Sequence, residues 1–274
     1  MSFSGAVLEY QPRLYLTYAQ LHACARNHGS YQREAALGGF AGCFIAAYGL
    51  GEAAEVLPLA AAISGACFLG VDPDGERLKG LLRAGRCDFV VNSLDEALRI
   101  LKNELRQRKP VSVVLQGDTA SVVEEIEDRG VSPNLVVGTE AAAAEAKANS
   151  PGSRVCLLEK DVPLVEETED GGANRKNSEA MVVSWTLPSG TAAMLARLDQ
   201  LALPVLPERD GMRRRWLQAA GRYIPRQSPS GRASAWTRRE FERLMDIFSA
   251  RLMTGELQGP LVVETPEESF TLGG

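Results

Sequence analysis

Histidine is nearly absent from this chain: His22 and His28 are the only two among 274 residues. They stand six apart, a spacing that does not place two ligands on one helix face, and no HExxH run occurs, so a histidine-bound metal has no support. Cysteine is sparse and lacks a framework. Cys24, Cys43, Cys67, Cys87 and Cys156 are odd in number and widely spaced, with no CxxC pair, which argues against a zinc ribbon or a redox dithiol and fits a reducing compartment. GxSxG and GxxxxGK[ST] are missing as well, which removes serine-hydrolase and P-loop readings. No apolar run is long enough to span a bilayer, and the first residues show no basic segment followed by an apolar one. A cytoplasmic protein without a membrane partner is expected. The net charge of -5 gives no reason to expect nucleic acid as a partner, and neither a helix-turn-helix pattern nor an aromatic platform is present.

What is present is an alternation. With 45% hydrophobic residues the chain can bury a substantial core. Cys43–Tyr48, Ala66–Val71, Phe89–Val91, Ser112–Leu115 and Leu135–Val137 read as strands, several apolar on both faces as a covered parallel sheet requires. Between them, Leu78, Leu81 and Leu82 mark one helix face, Leu94, Leu98, Leu101 and Leu105 a second, and Val122, Val123 and Ile126 a third. Ser93 with Glu96 predicts a capping box at the start of the second helix. Strand alternating with helix predicts an α/β fold with a doubly wound parallel sheet. Cys43 and Cys67 fall inside the strands and read as small core residues.

Between Cys43 and Asp72 the order is strand, glycine turn, helix, and a second strand ending in an acid. Gly49 and Gly51 stand where a tight turn and close approach to a pyrophosphate would need them, and Asp72, 23 residues after Gly49, stands where a carboxylate could bind a ribose hydroxyl. Glu52 and Glu55, however, sit at the mouth of the helix, and a carboxylate favours a helix N-terminus for the reason a phosphate does. Three readings stay open: the glycines cradle a phosphate, they let the chain reverse, or the turn serves a different, cationic ligand. A glutamate at this switch point is also placed to act as a general base. Asp72 reads either as a ribose ligand or as an N-terminal partner of the helix starting near Asp74.

Farther on, Glu166–Glu179 is polar without periodicity and reads as a flexible loop. The chain then turns helical over Thr191–Gln200, Gly211–Tyr223 and Arg239–Thr254, with a last short strand at Leu261–Val263. The predicted organisation is an N-terminal segment of the core over 1–39, the α/β domain over 40–158, a linker over 159–182, and a smaller, mainly helical, arginine-rich segment over 183–274. Among its arginines, Arg232 follows Pro229-Ser230-Gly231. It is either a solvated loop residue or a fixed guanidinium that grips an anion through two hydrogen bonds. His28, beside Gly29 and Tyr31, either lines the cleft or lies on the surface.

Many segments, taken in order, resemble urocanase (urocanate hydratase). They are Gly49–Ala60 (GLGEAAEVLPLA), Ser64–Asp72 (SGACFLGVD), Val91–Leu98, Val111–Asp118 and Glu127–Val137, then Trp185 with Ser189-Gly190, Arg215–Leu217, Pro229–Arg232 and Thr254–Val263. His28–Ala35 adds a weaker match. The resemblance implies a Rossmann-like domain of the urocanase type, an NAD cofactor that acts as an electrophile toward an imidazole ring, and an active-site arginine at Arg232. Departures fall where chemistry is expected. The family's glycine after the turn is Glu55, its glutamine is Leu57, its DQTS is Gly138-Thr139-Glu140-Ala141, and its GRDHLD is Glu264-Thr265-Pro266-Glu267-Glu268-Ser269. The chain is also expected to lack the family's later cysteine-bearing catalytic segment. The expectation is therefore a subunit of a repurposed lyase- or cyclase-type enzyme without functional NAD, acting on a small anionic, amino-acid-derived substrate. Arg232, Glu52 and Glu55 would be its catalytic groups, Arg232 and His28 its substrate contacts, and Gly49, Gly51 and Asp72 the cofactor contacts if NAD is bound at all. A second copy or a companion urocanase-like chain would complete the site. Two alternatives stay open: a non-catalytic protein that binds a partner or metabolite, and an NAD-binding hydratase fragment.

Overall fold

The computed structural model describes residues 3–27, 39–138, 155–157, 180–227 and 231–273. The chain forms two compact units, one of residues 20–162 and one of residues 1–19 with 163–274. Helix α1 (Phe3–Asn27) contributes its first part to the second of these and the remainder to the first.

The unit of residues 20–162 is built on a six-stranded sheet. Its strands are β1 (Phe44–Tyr48), β2 (Cys67–Asp72), β3 (Phe89–Val91), β4 (Val111–Gln116), β5 (Leu135–Gly138) and β6 (Val155–Leu157), in the order β3-β4-β2-β1-β5-β6. Every pairing is parallel. The five strands expected from the sequence are all here. β6 is an addition, a three-residue edge strand too short to show a period. Because β1 and β2 are buried at every position, they carry continuous apolar runs, as a sheet covered on both faces demands. Among the described residues four helices connect the strands: α2 (Leu57–Ser64), α3 (Gly75–Arg83), α4 (Leu94–Gln107) and α5 (Thr119–Asp128). This is the expected Rossmann-like α/β architecture.

Caps fix these helices where short polar side chains reach backbone amides. Asp74 accepts from the N–H groups of Glu76 and Arg77 at the start of α3, and Asp118 accepts from that of Ser121 in α5. The capping box expected at Ser93 does not form: Ser93 holds the N-cap position of α4 but makes no side-chain cap bond. Cys43, Cys67 and Cys87 are buried thiols outside any disulfide. Burial pushes the Cys67 thiol up to about 12, so it is a core group and not a nucleophile. Cys24 is disulfide-bonded, a feature that the spacing of the cysteines did not foretell. Among the described residues no helix is long and apolar enough to cross a membrane.

The other unit centres on a four-stranded antiparallel sheet of β7 (Met181–Thr186), β8 (Gly231–Trp236), β9 (Leu261–Glu264) and β10 (Ser269–Leu272), in the order β10-β9-β7-β8. Three helices accompany it: α6 (Ala192–Ala202), α7 (Gly211–Gln227) and α8 (Arg238–Met253). The helices match the sequence periodicity. Of the strands only β9 was expected, so the mainly helical segment carries more sheet than its sequence suggests. β8 is an edge strand, yet all six of its residues are buried. Side chains meet its outward carbonyls: the Trp216 indole N–H donates to Ala233 at 2.8 Å and Arg213 donates to Ala235 at 3.1 Å. A capping box does form here, between Thr237 and Glu240 at the start of α8. Glu166–Glu179 lies outside the described residues.

Candidate functional site

In a sheet of this order the connections leave β1 and β5 in opposite directions, so the carboxyl ends of those strands are where a ligand would settle. The glycine turn stands there. Gly49 has φ +68° and Gly51 φ +51°, a left-handed backbone in which a side chain is strained. A Cβ on Gly51 would meet nothing within 4 Å, so backbone conformation alone accounts for that glycine. The N–H of Gly49 continues the β-ladder onto the Val71 carbonyl at 3.0 Å. Leu50 turns inward, and β2 makes room for it at Gly70, where a Cβ would fall 2.7 Å from Leu50 Cδ1.

Asp72, at the end of β2, closes the turn from the other side. It is 1% exposed. Its Oδ2 accepts from the Gly51 N–H at 3.1 Å and from Arg77 at 2.8 Å, and its Oδ1 accepts from the Asp74 N–H at 2.9 Å. Asp72 is thus a strut between the glycine turn and the start of α3. The N-cap of α3 is Asp74, and Asp72 ties to the helix's start through the Asp74 N–H and Arg77, as the reading of it as an N-terminal partner expected.

After the turn the chain does not enter an open helix N-terminus. Gly51–Glu55 forms a short 3-10 helix, in which the Ala53 N–H bonds to the Leu50 carbonyl and the Val56 N–H to that of Ala53. The α-helix that follows has Pro58 in its first turn, where an amide is lost, and is buried at all eight positions. Glu52 and Glu55 are exposed on the 3-10 turn, and Glu55 faces Arg86 at 3.6 Å. The neighbouring Thr119, at the start of α5, comes within 4.0 Å of where a Gly49 Cβ would lie.

Arg232 does not lie in a loop. It is the second residue of β8, 1% exposed, opposite Trp185 on β7. Its Nε donates to Asp199 of α6 at 3.0 Å, and its guanidinium lies 5.0 Å from the Trp216 ring centroid. The solvated loop alternative is corrected: Arg232 is a fixed guanidinium in a buried strand, and Asp199 meets its charge inside its own unit. Burial pushes the Asp199 carboxyl up to about 6, against the opposing pull of Arg232. A second buried cation, Arg213, is held by Asp210 at 2.6 Å and by both oxygens of Glu240 at 2.7 and 3.0 Å. Burial opposes its charge while these carboxylates raise its pKa well above the ordinary arginine value. Asp199, Trp216 and Arg77 were not picked out from the sequence, because only the fold places them against Arg232 and Asp72. His28 lies outside the described residues.

The family model of the urocanase Rossmann-like domain matches residues 15–152. The chain belongs to the urocanase family. Urocanase chemistry implies NAD, and the residues at the glycine turn do not fit it. The acid that would receive a ribose is already met by three donors, one of them the Gly51 amide beside which a pyrophosphate would pass. The helix that would present its N-terminus is buried and has Pro58 in its first turn, and two exposed carboxylates flank the turn.

Proposed function

We propose that this urocanase-family chain works without NAD, as the urocanase-like subunit of a small-molecule enzyme of lyase or cyclase type. One observation carries the reading: the Asp72 carboxylate, neutralised by Arg77, occupies the Gly51 N–H that a dinucleotide would need. A pyrophosphate brought to this turn would meet Glu52 and Glu55 as well, and like charges at close range disfavour binding. The substrate is a small anionic, amino-acid-derived compound undergoing addition, elimination or intramolecular substitution. Glu52 or Glu55 assists by charge or proton transfer. Because Arg232 is held by Asp199, the grip on the anion falls to a second chain, either another copy or a companion urocanase-like protein.

Titration with NAD, followed by melting temperature, tests the first part. Ligand that binds the folded state raises its stability by mass action, so millimolar NAD should leave the melting temperature unchanged, and protein denatured after purification should release no nucleotide. A saturable upward shift would overturn the reading and restore an NAD-binding hydratase fragment. Co-purification tests the second part: turnover should appear only with the companion chain present and should fall in Glu55→Gln or Glu52→Gln.

The Arg232–Asp199 pairing favours one further reading, a non-catalytic protein that binds a partner or a metabolite. A stable complex whose turnover survives both glutamine substitutions would decide for it.

A further inference from the structure

The antiparallel sheet carries a second set of polar groups that this reading does not use. Its register places Ser269 of β10 opposite Glu264 of β9, and Glu264 opposite Ser184 of β7. Directly opposed residues share a face, with Cβ atoms about 5 Å apart, so two hydroxyls and a carboxylate stand in one row across three strands. The row lines a pocket of about 500 Å³. Glu267 and Glu268, in the turn between β9 and β10, add two more carboxylates, while Val182 and Pro12 supply apolar wall.

Ser184 gives the pocket its meaning. It is 7% exposed, it lines the pocket, and among the described residues its hydroxyl has no hydrogen-bond partner. Its oxygen keeps contact with solvent in the pocket, so a ligand there can reach it and supply the missing partner. Glu264 is half-buried and likewise has no ion pair or side-chain hydrogen bond among the described residues. Thr265, by contrast, is engaged within the turn, accepting from the Glu268 N–H at 2.9 Å and donating to the Glu268 carbonyl at 3.1 Å.

We infer that this pocket binds the ammonium head of a small alkylamine, with Ser184, Glu264 and Ser269 as its acceptors. An alkylammonium carries three donors and no acceptor, which matches two hydroxyl oxygens flanking a carboxylate. Glu267 and Glu268 attract the cation at longer range, where salt weakens their effect. The alkyl stem lies on Val182 and Pro12. A guanidinium fits less well, since its rigid fork is matched by two parallel oxygens of one group and not by a row of three separate ones. The inference stands apart from the NAD-free reading and rests on residues of the other unit.

The test is calorimetric titration of the full chain with 1,4-diaminobutane, 1,4-butanediol and tetramethylammonium. Saturable binding of the diamine alone is expected. Glu264→Gln and Ser184→Ala should each weaken it about tenfold, as loss of a charge-assisted hydrogen bond does, while Glu267→Gln should weaken it less. Equal binding of tetramethylammonium, which has no N–H, would overturn the inference, as would a Glu264→Gln protein that binds like the parent. Should either variant fail to fold, the parent's preference for the diamine over the diol still decides. A lysine side chain shares the ammonium chemistry. Tighter binding of N-acetyl-lysine methylamide than of the diamine would assign the pocket to a protein partner's lysine and overturn the small-molecule inference.

Discussion

Among the described residues the parallel-sheet unit buries one carboxylate, Asp72, whereas the antiparallel-sheet unit buries Asp199, Asp210, Arg213 and Arg232. Asp72 meets its cation at the surface, because Arg77 is 40% exposed. In the other unit both members of each pair are withdrawn from water: Arg232 with Asp199, and Arg213 with Asp210. One core is therefore held mainly by apolar burial, and the other also depends on ion pairs whose desolvation must be offset by geometry. Arginines that count as surface charge in the sequence become internal supports in the second unit.

Breaking a pair should have the largest effect. Arg232→Met leaves Asp199 buried without its cation and should cost about 3–5 kcal/mol in urea unfolding, while Arg232→Met with Asp199→Leu should recover most of that loss. A double variant as unstable as the single one would deny that the pair, rather than packing, is what matters. In the apolar unit, Leu69→Ala, at a site with no exposure, should cost about 2–5 kcal/mol through the lost transfer energy and the cavity left behind.

The pH dependence sharpens the contrast. Asp199 is lifted to about 6 by burial, against Arg232, above the ordinary carboxyl value of about 4. A carboxyl raised in the folded state contributes its stability in full below its unfolded value and loses it as pH rises through the folded one. This group should therefore lower unfolding free energy between about pH 4 and 6, by as much as about 2–3 kcal/mol. Glu240 acts oppositely: its burial works against ionisation, but Arg213 and the Thr237 amide outweigh that and hold its carboxyl below the usual range. Its contribution is present at higher pH and is lost as pH falls. Asp199→Asn should remove the descending component. A slope across pH 4–6 identical to the parent's would show that Asp199 does not titrate there.

Smaller effects compare the two kinds of turn. Asp72→Asn, which weakens the ties to Gly51 and Arg77, should cost about 1–2 kcal/mol, less than Arg232→Met because Arg77 can be solvated. Thr237→Ala, at a formed capping box, should cost about 1 kcal/mol. Ser93→Ala should cost only a few tenths, since Ser93 makes no cap bond. Equal costs for the two caps would mean that Ser93 bonds in solution as the sequence pattern suggests.

The parallel sheet was legible because its evidence is local. Strands such as Phe44–Tyr48 and Cys67–Asp72, buried throughout, print their burial directly as apolar runs. The strands of the antiparallel sheet were harder to see. β8 reads Gly-Arg-Ala-Ser-Ala-Trp, a mixture of small and charged residues that becomes a buried strand only when Trp216, Arg213 and Asp199 close around it. β10, with only four residues and alternating exposure, is defined by its register on β9. The candidate site divided in the same way. The glycine turn and Asp72 could be placed from spacing, but the bond from Gly51 to Asp72 and the capture of Arg232 by Asp199 join residues 21 and 33 positions apart.

By itself the sequence determined the family, the parallel α/β layout and the positions of the glycine turn, because each depends on short-range pattern or on the order of segments along the chain. The tertiary structure alone decided which charges are free to do chemistry. Whether Asp72, Arg232 or Ser184 is available is set by what stands within about 3 Å of it, and the groups at that distance come from elements far away in the chain.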